Sequence, residues 1–180
     1  METPVFLVTG GSRGIGAAIA RAAAAAGYRV LLSYASNVDQ AQAVVAAIAA
    51  GGGMARAVRA DTSLPGDVAA LFAAADELGS LKALACSGGI TGAISSLADA
   101  TPETLARVVD VNLTGVMLCA REAVRRMSTA RGGTGGAIIF LSSRATAYGS
   151  ANEHVWYAAS KGGIDALTIG LARETGGEGV

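Results

Sequence analysis

The sequence predicts an α/β fold in which helices cover both faces of one doubly wound parallel sheet. Short apolar segments rich in strand-forming residues alternate with longer alanine-rich segments, which is the pattern of repeated strand–helix–strand units. The predicted strands are almost continuously apolar, as expected where neither face of a sheet meets water. A glycine-rich turn directly follows the first strand. At 180 residues the chain has the length of one domain, which we place at 1–180.

The elements follow from local composition, in chain order. The predicted strands are VFLVT, YRVLLSY, MARAVRA, LKALAC and AIIFLS, at 5–9, 28–34, 54–60, 81–86 and 137–142. The predicted helices cover 14–26, 38–50, 65–78, 102–129 and 152–174. Thr101 and Pro102 give the fourth helix an N-cap and a first-turn proline. The long loops at 88–100 and 144–153 each follow the carboxyl end of a strand, where open α/β sheets bind ligands.

The charge balance argues against several classes of protein. Fourteen basic and fourteen acidic side chains give a formal net charge of zero, without the basic patch that nucleic acid or an anionic membrane attracts. The amino-terminal residues do not form a leader sequence, and no apolar run reaches the roughly 18 residues needed to span a bilayer. We therefore expect a cytoplasmic protein with a small-molecule ligand and without a nucleic-acid or membrane partner.

The cysteines and the histidine do not indicate a metal site. Cys86 and Cys119 lack the neighbouring ligands of a metal motif, so we expect both to be small buried apolar residues. His154 is the only histidine, which excludes a multi-histidine metal centre and leaves a hydrolase triad with one possible base. We therefore expect no metal.

The segment TGGSRGIG links the first strand to the first helix and predicts a phosphate loop. Glycines allow the backbone to approach a pyrophosphate closely, and the first amide groups of the helix present positive partial charge to the anion. The alternative is an ordinary strand-to-helix turn. Its position after an apolar first strand favours dinucleotide binding. The candidate contacts in this loop are Gly10, Ser12, Arg13, Gly14, Ile15 and Gly16.

The end of the second strand favours NADP over NAD. A carboxylate there would bind the adenosine ribose and repel an added phosphate, but Tyr34 and Ser36 stand at this point and the next acidic residue is Asp39. The planar guanidinium of Arg13 matches the oxygens of a 2′-phosphate. NADP is therefore the predicted cofactor, with NAD possible. The alternative is that Arg13 is solvated and that Ser36 and Asn37 cap the next helix.

Asp61 ends the third strand and allows two interpretations. Its carboxylate can accept a hydrogen bond from the amino group of adenine, or it can cap the turn before Pro65. Local sequence does not decide between them.

The motif YAASK places Tyr157 and Lys161 four residues apart on one face of the last helix. A phenol alone is a poor base near neutral pH. A fixed ammonium at about 4 Å and an effective dielectric near 20 would stabilise the phenolate by roughly 4 kcal/mol. Such a phenol can give a proton to a carbonyl oxygen or take one from an alcohol. The alternative is an ordinary solvated helix face.

Two further polar positions support a catalytic interpretation. Ser142 and Ser143 end the fifth strand at the edge where a hydroxyl could bind the reacting oxygen. Asn112 lies within a helix, in VNLTG, and a buried asparagine needs hydrogen-bond partners.

Together these motifs resemble the classical short-chain dehydrogenase/reductases. The resemblance runs in order from Val5 to the last residue, and it is carried by TGGSRGIG, DT at 61–62, VNLTG, LSS at 141–143 and YAASK at 157–161. It implies a Rossmann-like fold, NADP or NAD as hydride carrier, a small carbonyl or alcohol substrate, and a homo-oligomer, a tetramer or a dimer, built on the long helices. It also implies that Asp61 contacts adenine, and that Thr62, Ser87 and Gly88 contact the cofactor.

The resemblance further implies a catalytic tetrad. Tyr157 would be the general acid and base, and Lys161 would acidify it and hold the nicotinamide ribose. Ser143 would orient the substrate oxygen, since the family's catalytic serine is usually the second of such a pair. Asn112 would support a water relay.

The chain departs from the family pattern in two places. Cys86, Ser87, Gly88 and Gly89 stand where the family usually has Asn-Asn-Ala-Gly, so hydrogen bonds from those asparagines must be replaced or lost. The sequence ends in GGEGV, where the family would begin a sixth strand and the segment that covers the substrate. We expect a sheet truncated after the helix that carries Tyr157 and Lys161.

The predicted function is an NADP-dependent oxidoreductase that moves hydride between nicotinamide and a carbonyl or alcohol carbon. The alternative is a catalytically silent dinucleotide binder or scaffold of the same fold, which the two departures favour. A methyltransferase also uses a glycine loop after its first strand, but it does not need Tyr157 and Lys161 four residues apart.

Overall fold

A computed structural model describes residues 3–180 and confirms the predicted fold class. Five strands form one parallel sheet in the order β3-β2-β1-β4-β5. The strands are β1 (Val5–Thr9), β2 (Arg29–Tyr34), β3 (Met54–Arg59), β4 (Leu81–Cys86) and β5 (Ala137–Phe140).

Helices connect the strands and cover both faces of the sheet. The α-helices are α1 (Gly14–Ala25), α2 (Val38–Ala50), α3 (Pro65–Asp76), α4 (Pro102–Val109), α5 (Gly115–Met127), α6 (Ala145–Tyr148) and α7 (Val155–Thr175). A π-helical segment, Asp110–Thr114, joins α4 to α5, and short 3₁₀ turns lie at Leu97–Asp99, Thr129–Arg131 and Gly176–Glu178. Among the described residues, no helix is both long enough and apolar enough to cross a membrane.

Two hydrophobic cores lie on opposite faces of the sheet. On one face, α3, α5 and α7 pack against the strands through residues that include Phe72, Met127 and Ile164. On the other face, α1 and α2 pack through Ala20 and Val44. Both Cys86 and Cys119 belong to the first core and are buried, as expected from the sequence. The central strands β1, β2 and β4 are therefore apolar and buried on both faces, whereas the edge strands β3 and β5 have exposed residues in alternation with half-buried ones.

The strand order reverses at β1, and this reversal positions the site. The chain moves outward from β1 to β2 and β3, then returns to place β4 on the other side of β1. Thr9 at the end of β1 pairs with Cys86 at the end of β4, so the glycine loop and the loop after β4 leave the sheet side by side. In open α/β sheets, ligands bind in the crevice at this topological switch point.

The structure corrects several of the predicted elements. The predicted helix at 102–129 is interrupted by the π-helical segment, which brings Asn112 against the backbone of Ile90. The last helix begins at Val155 rather than 152, and α6 lies within a predicted loop. Strand β5 ends at Phe140 because the carbonyl of Leu141 accepts a hydrogen bond from Lys161 instead of from a neighbouring strand.

Candidate active site

A single large cavity of ≈ 1020 Å³ opens along the carboxyl edge of the sheet. Segments that follow all five strands line it, together with parts of the α4–α5 region and of α7. Its volume is at the upper end of the roughly 300–1,000 Å³ of small-molecule sites, which suits an extended ligand such as a dinucleotide. Among the described residues, no group of three or more histidine, cysteine or acidic side chains could hold a metal ion.

The glycine loop has the close backbone approach that a phosphate cradle requires. Gly10 has a φ of 64°, and a Cβ added there would lie 2.6 Å from the Cα of Gly88. A Cβ on Gly16 would lie 2.3 Å from the carbonyl oxygen of Gly10. Ser12, Arg13, Gly14 and Ile15 line the cavity with Gly10, whereas the buried Gly16 does not. Gly16 therefore holds the loop against α1 rather than forming part of the cavity wall.

The ends of β2 and of the glycine loop lie on the same cavity. Tyr34, Ser36 and Arg13 all line it, and between Tyr34 and Asn37 there is no carboxylate. The amide oxygen of Asn37 accepts a hydrogen bond from the backbone N–H of Gln40 at 2.9 Å and so caps α2. The capping alternative is therefore correct for Asn37, while Ser36 remains available on the cavity wall.

Asp61 both caps its turn and lines the cavity with Thr62. Its Oδ1 accepts hydrogen bonds from the backbone N–H of Ser63 at 3.0 Å and from the Ser63 hydroxyl at 2.7 Å. Its Oδ2 accepts one from Arg107 at 2.7 Å. Burial alone would raise the pKa of this carboxyl, but the hydrogen bonds from Ser63 and Arg107 outweigh burial and hold the pKa below its ordinary value. Asp61 is therefore an ionised acceptor at neutral pH.

Tyr157 and Lys161 lie at the opposite end of the cavity, one helical turn apart on α7. The Lys161 ammonium is 5.9 Å from the centre of the Tyr157 ring. It donates a hydrogen bond to the carbonyl oxygen of Leu141 at 2.6 Å and is only 5% exposed. Burial lowers the pKa of Lys161, and Cys86 and Asp165 partly oppose that shift. The pair thus forms the wall of a cavity and not a solvated helix face.

Asn112 lies behind the cavity wall. Its side chain is fully buried, and it accepts a hydrogen bond from the backbone N–H of Ile90 at 2.8 Å. Its amide nitrogen donates to the carbonyl of Ile90 at 2.8 Å and to the hydroxyl of Ser160 at 3.1 Å. Asn112 does not line the cavity. It ties the loop after β4 to α7, next to the helical turn that carries Tyr157.

The two serines after β5 differ in their surroundings. Ser142 is exposed and lines the cavity. Ser143 is half-buried, does not line the cavity, and accepts a hydrogen bond at its hydroxyl from the backbone N–H of Ala145 at 3.1 Å. The structure therefore brings Ser142, rather than the predicted Ser143, directly onto the cavity that Tyr157 also lines.

The segment Cys86–Gly89 packs against the end of β1 through backbone contacts. The backbone N–H of Ser87 donates to the carbonyl of Thr9 at 3.2 Å, and Ser87 and Gly88 line the cavity as predicted. The thiol of Cys86 is buried against Cys119, and the hydrogen bond between the thiols, with burial, raises the pKa of Cys86 well above its ordinary value. Cys86 is therefore a neutral, structural residue.

Sequence reasoning missed part of the wall. Arg107 and Val111 line the cavity from the helix before Asn112, and Ile90, Thr91 and Gly92 line it from the loop after β4. The four-residue spacing of Arg107 and Val111 could have indicated that both line the same cavity, since it places them on one face of a helix.

The fold and the site together define a Rossmann-like α/β protein whose cleft is lined by a glycine loop and by a tyrosine and a lysine one helical turn apart. The family model for short chain dehydrogenases matches residues 4–180. The chain therefore belongs to the short-chain dehydrogenase/reductase family, and family members are oxidoreductases.

Similar proteins cover nearly all of this chain. The uncharacterized oxidoreductase YgfF of Escherichia coli (strain K12) is 45% identical over 98% of this chain and 72% of its own length. Versicolorin reductase 1 of Aspergillus parasiticus is 38% identical over 98% of this chain and 65% of its own length. A short-chain dehydrogenase from Burkholderia cenocepacia J2315, solved in complex with NADP, has a TM-score of 0.88 and 38% identity over 97% of this chain and 69% of its own.

Proposed function

We propose that this chain carries the cofactor-binding and catalytic part of an NADP(H)-dependent oxidoreductase that interconverts a carbonyl and an alcohol. The observation that carries the proposal is that one cavity is lined both by the glycine loop and by Tyr157 and Lys161. A methyltransferase would explain the loop but not the pair.

The residues of the glycine loop fit a pyrophosphate. Gly14 lines the cavity, and a Cβ added there would meet no atom within 4 Å, so the backbone is open to a ligand at this point, where α1 begins. The first amide groups of that helix supply positive partial charge. A nicotinamide dinucleotide, when bound, would supply or accept the hydride.

The protein would handle the proton. Tyr157 donates it to the carbonyl oxygen during reduction and accepts it from the hydroxyl during oxidation. Lys161 places a positive charge 5.9 Å from the centre of the Tyr157 ring, and its own position is fixed by the hydrogen bond to Leu141. We assign the substrate-orienting role to Ser143 by resemblance, with Ser142 as the structural rival on the cavity wall. Asn112 would act indirectly, by holding α7 and the loop at Ile90.

Arg13 and Ser36 support NADP as the cofactor. Both line the cavity at the end where no carboxylate would repel a 2′-phosphate. The similar protein from Burkholderia cenocepacia was solved with NADP. NAD remains the alternative cofactor.

The substrate would be a small carbonyl or alcohol, bound beside Tyr157 and the loop at Ile90–Gly92. We further propose a homo-oligomer built on the long helices, where Met117 of α5 and Ile169 of α7 are exposed. Since the chain spans about 65–72% of the length of the relatives above, the activity of the whole protein belongs to this proposal as well.

The rival proposal is a dinucleotide binder without turnover, favoured by Cys86–Gly89, which stands where the family usually has Asn-Asn-Ala-Gly. The experiment that separates them measures NADPH binding by fluorescence and NADPH consumption across a panel of ketones and aldehydes. Binding with turnover that requires Tyr157 supports the oxidoreductase. Saturable binding without turnover on any substrate supports the rival.

A further inference from the structure

Arg107 joins Asp61 and Ser63 in a closed network at one end of the cavity. The guanidinium of Arg107 donates hydrogen bonds to the Ser63 hydroxyl and to Asp61 Oδ2, both at 2.7 Å. Ser63 completes the ring by donating to Asp61 Oδ1 from its hydroxyl and its backbone N–H. Arg107 and Asp61 both line the cavity. The network therefore borders the cavity and is not enclosed in the protein interior.

The network leaves one acceptor position on Asp61. An ionised carboxylate accepts about four hydrogen bonds, two at each oxygen. Oδ1 holds two, from the backbone and the hydroxyl of Ser63, and Oδ2 holds one, from Arg107. Within residues 3–180, no other donor bonds to this side chain. The remaining position on Oδ2 can serve only a donor, because an ionised carboxylate has no hydrogen to give.

The backbone that carries Arg107 is held close to this turn. Arg107, Val111 and Gly115 follow at four-residue intervals along the helical segment from α4 to α5. A Cβ on Gly115 would lie 2.8 Å from the carbonyl oxygen of Thr62, so the segment packs directly against the turn that contains Asp61. The backbone of Arg107 is thus held close enough for its guanidinium to contact the Asp61 carboxylate. Replacing Arg107 would release one side of Asp61 without removing the turn.

We propose that Arg107 is a positioning residue that makes this end of the site selective for a purine with an exocyclic amino group. By holding Asp61 Oδ2 from one side, it directs the remaining acceptor position to the amino N–H of adenine. A base with a carbonyl at the same place, such as hypoxanthine, would present an acceptor to a carboxylate and would be rejected. This inference rests on the proposed dinucleotide-binding function and extends it to a residue outside the glycine loop.

The test compares two ligands that differ only at that group. Dissociation constants of NADPH and of its deaminated analogue, nicotinamide hypoxanthine dinucleotide phosphate, are measured by fluorescence for the unsubstituted protein and for Arg107→Gln. We expect a preference for NADPH of about tenfold, the value of one hydrogen bond to a charged group, and its reduction to about twofold in Arg107→Gln. Affinity for the analogue should change little. Thermal unfolding verifies that the half-exposed Arg107 is not needed for folding.

Two further variants complete the design. Arg56→Gln is the matched control, because it removes an exposed arginine that pairs with Glu77 at 2.7 Å outside the cavity. This variant should keep the full preference for NADPH over the analogue. In the double variant of Arg107→Gln with Asp61→Ala, the preference should be no lower than in Asp61→Ala alone, since Arg107 acts through that carboxylate.

Three results would overturn the inference. A preference unchanged in Arg107→Gln would show that Asp61 needs no positioning, and an additive loss in the double variant would show that Arg107 acts on its own. Equal dissociation constants of both ligands for the unsubstituted protein would show that the site does not select the exocyclic amino group. Failure of the proposed function is distinct, because then the unsubstituted protein would bind neither ligand, and the inference would fall with it.

Discussion

The Lys161 ammonium donates a hydrogen bond to the carbonyl oxygen of Leu141, 2.6 Å away, in a position that is only 5% exposed. This bond joins the middle of the structure's last long helix to the point where β5 leaves the sheet. It fixes the cation 5.9 Å from the centre of the Tyr157 ring through a backbone carbonyl and not through a carboxylate. The positive charge therefore stands at the part of the cavity wall that Tyr157 forms.

Replacement of Lys161 should reveal the cost of that buried charge. Burial lowers the pKa of Lys161 below its ordinary value of 10.5, so the folded protein releases this proton at a lower pH than the unfolded chain does. Between the two values the unfolded chain holds more protons, and stability rises with pH. We expect the free energy of unfolding of the unsubstituted protein to gain on that of Lys161→Met as the pH rises through the range between the lowered pKa of Lys161 and its ordinary value of 10.5. Urea denaturation at each pH measures the difference, and a difference independent of pH would contradict the prediction.

Tyr157→Phe should abolish turnover and leave NADPH binding almost unchanged. The substitution removes one oxygen from the cavity wall and keeps the ring, so the proton donor is lost while the packing remains. We expect kcat to fall by at least about a hundredfold, the scale of general acid–base catalysis. Steady-state kinetics and fluorescence titration give the two quantities. Tyr28→Phe is the control, because Tyr28 packs against Phe6 away from the cavity, and activity in Tyr157→Phe equal to that of this control would refute the role.

Ser143→Ala and Ser142→Ala should separate the two candidate serines. If Ser143 donates its O–H to the substrate oxygen while it still accepts from Ala145, Ser143→Ala lowers kcat/KM by about tenfold to a hundredfold, equivalent to about 1.4–2.7 kcal/mol, and Ser142→Ala changes it little. The comparison needs only kcat/KM for one accepted ketone. The opposite pattern would transfer the role to Ser142, which already lines the cavity.

Arg13→Gln should weaken NADPH binding without a comparable effect on NADH. The guanidinium is the cation of the glycine loop, and only NADPH carries the 2′-phosphate that it would bind. We expect the dissociation constant of NADPH to rise by about tenfold at low salt, and the effect to shrink as ionic strength increases. Arg21→Gln removes an exposed arginine from α1 outside the cavity and serves as the control. Equal losses for both nucleotides would refute the assignment.

Gly16→Ala should destabilise the protein even though Gly16 does not line the cavity. The added Cβ would lie 2.3 Å from the carbonyl oxygen of Gly10, a backbone atom that cannot move without displacing the loop. Overpacking of this kind costs about 1–3 kcal/mol. Gly162→Ala, at a helical position with open space around it, should instead stabilise by about 0.5–1 kcal/mol. Thermal unfolding measures both, and unchanged stability in Gly16→Ala would contradict the prediction.

The sequence allowed the strands and the glycine loop to be predicted because both are local. Strands β1 and β4 were predicted with their observed bounds, since each is a short, largely apolar run bounded by turn-forming residues, Pro4 and Gly10 for β1 and Ser80 and Ser87 for β4. The environment of Asn112 could not be predicted, because the hydrogen bonds to Ile90 and Ser160 depend on the fold and the π-helical segment has no compositional signal. The network of Arg107 with Asp61 was missed for the same reason, since these residues are 46 positions apart in the chain.

The choice between Ser142 and Ser143 shows a different limit. The predicted choice used the order of residues in the family, whereas the cavity wall depends on how the chain turns after β5. Adjacent residues in a turn can point in opposite directions. Counting along the sequence cannot resolve such a pair without the backbone dihedral angles.

The π-helical segment Asp110–Thr114 also constrains how this region can vary in length. A turn of α-helix holds about 3.6 residues, and the wider π-helical turn holds more, so this segment takes up an extra residue between α4 and α5. Deleting one residue there would convert the segment to regular helix and remove the wide turn that brings Asn112 against the backbone of Ile90. Insertions and deletions should therefore be excluded from this short stretch, while substitutions on its solvent side are tolerated.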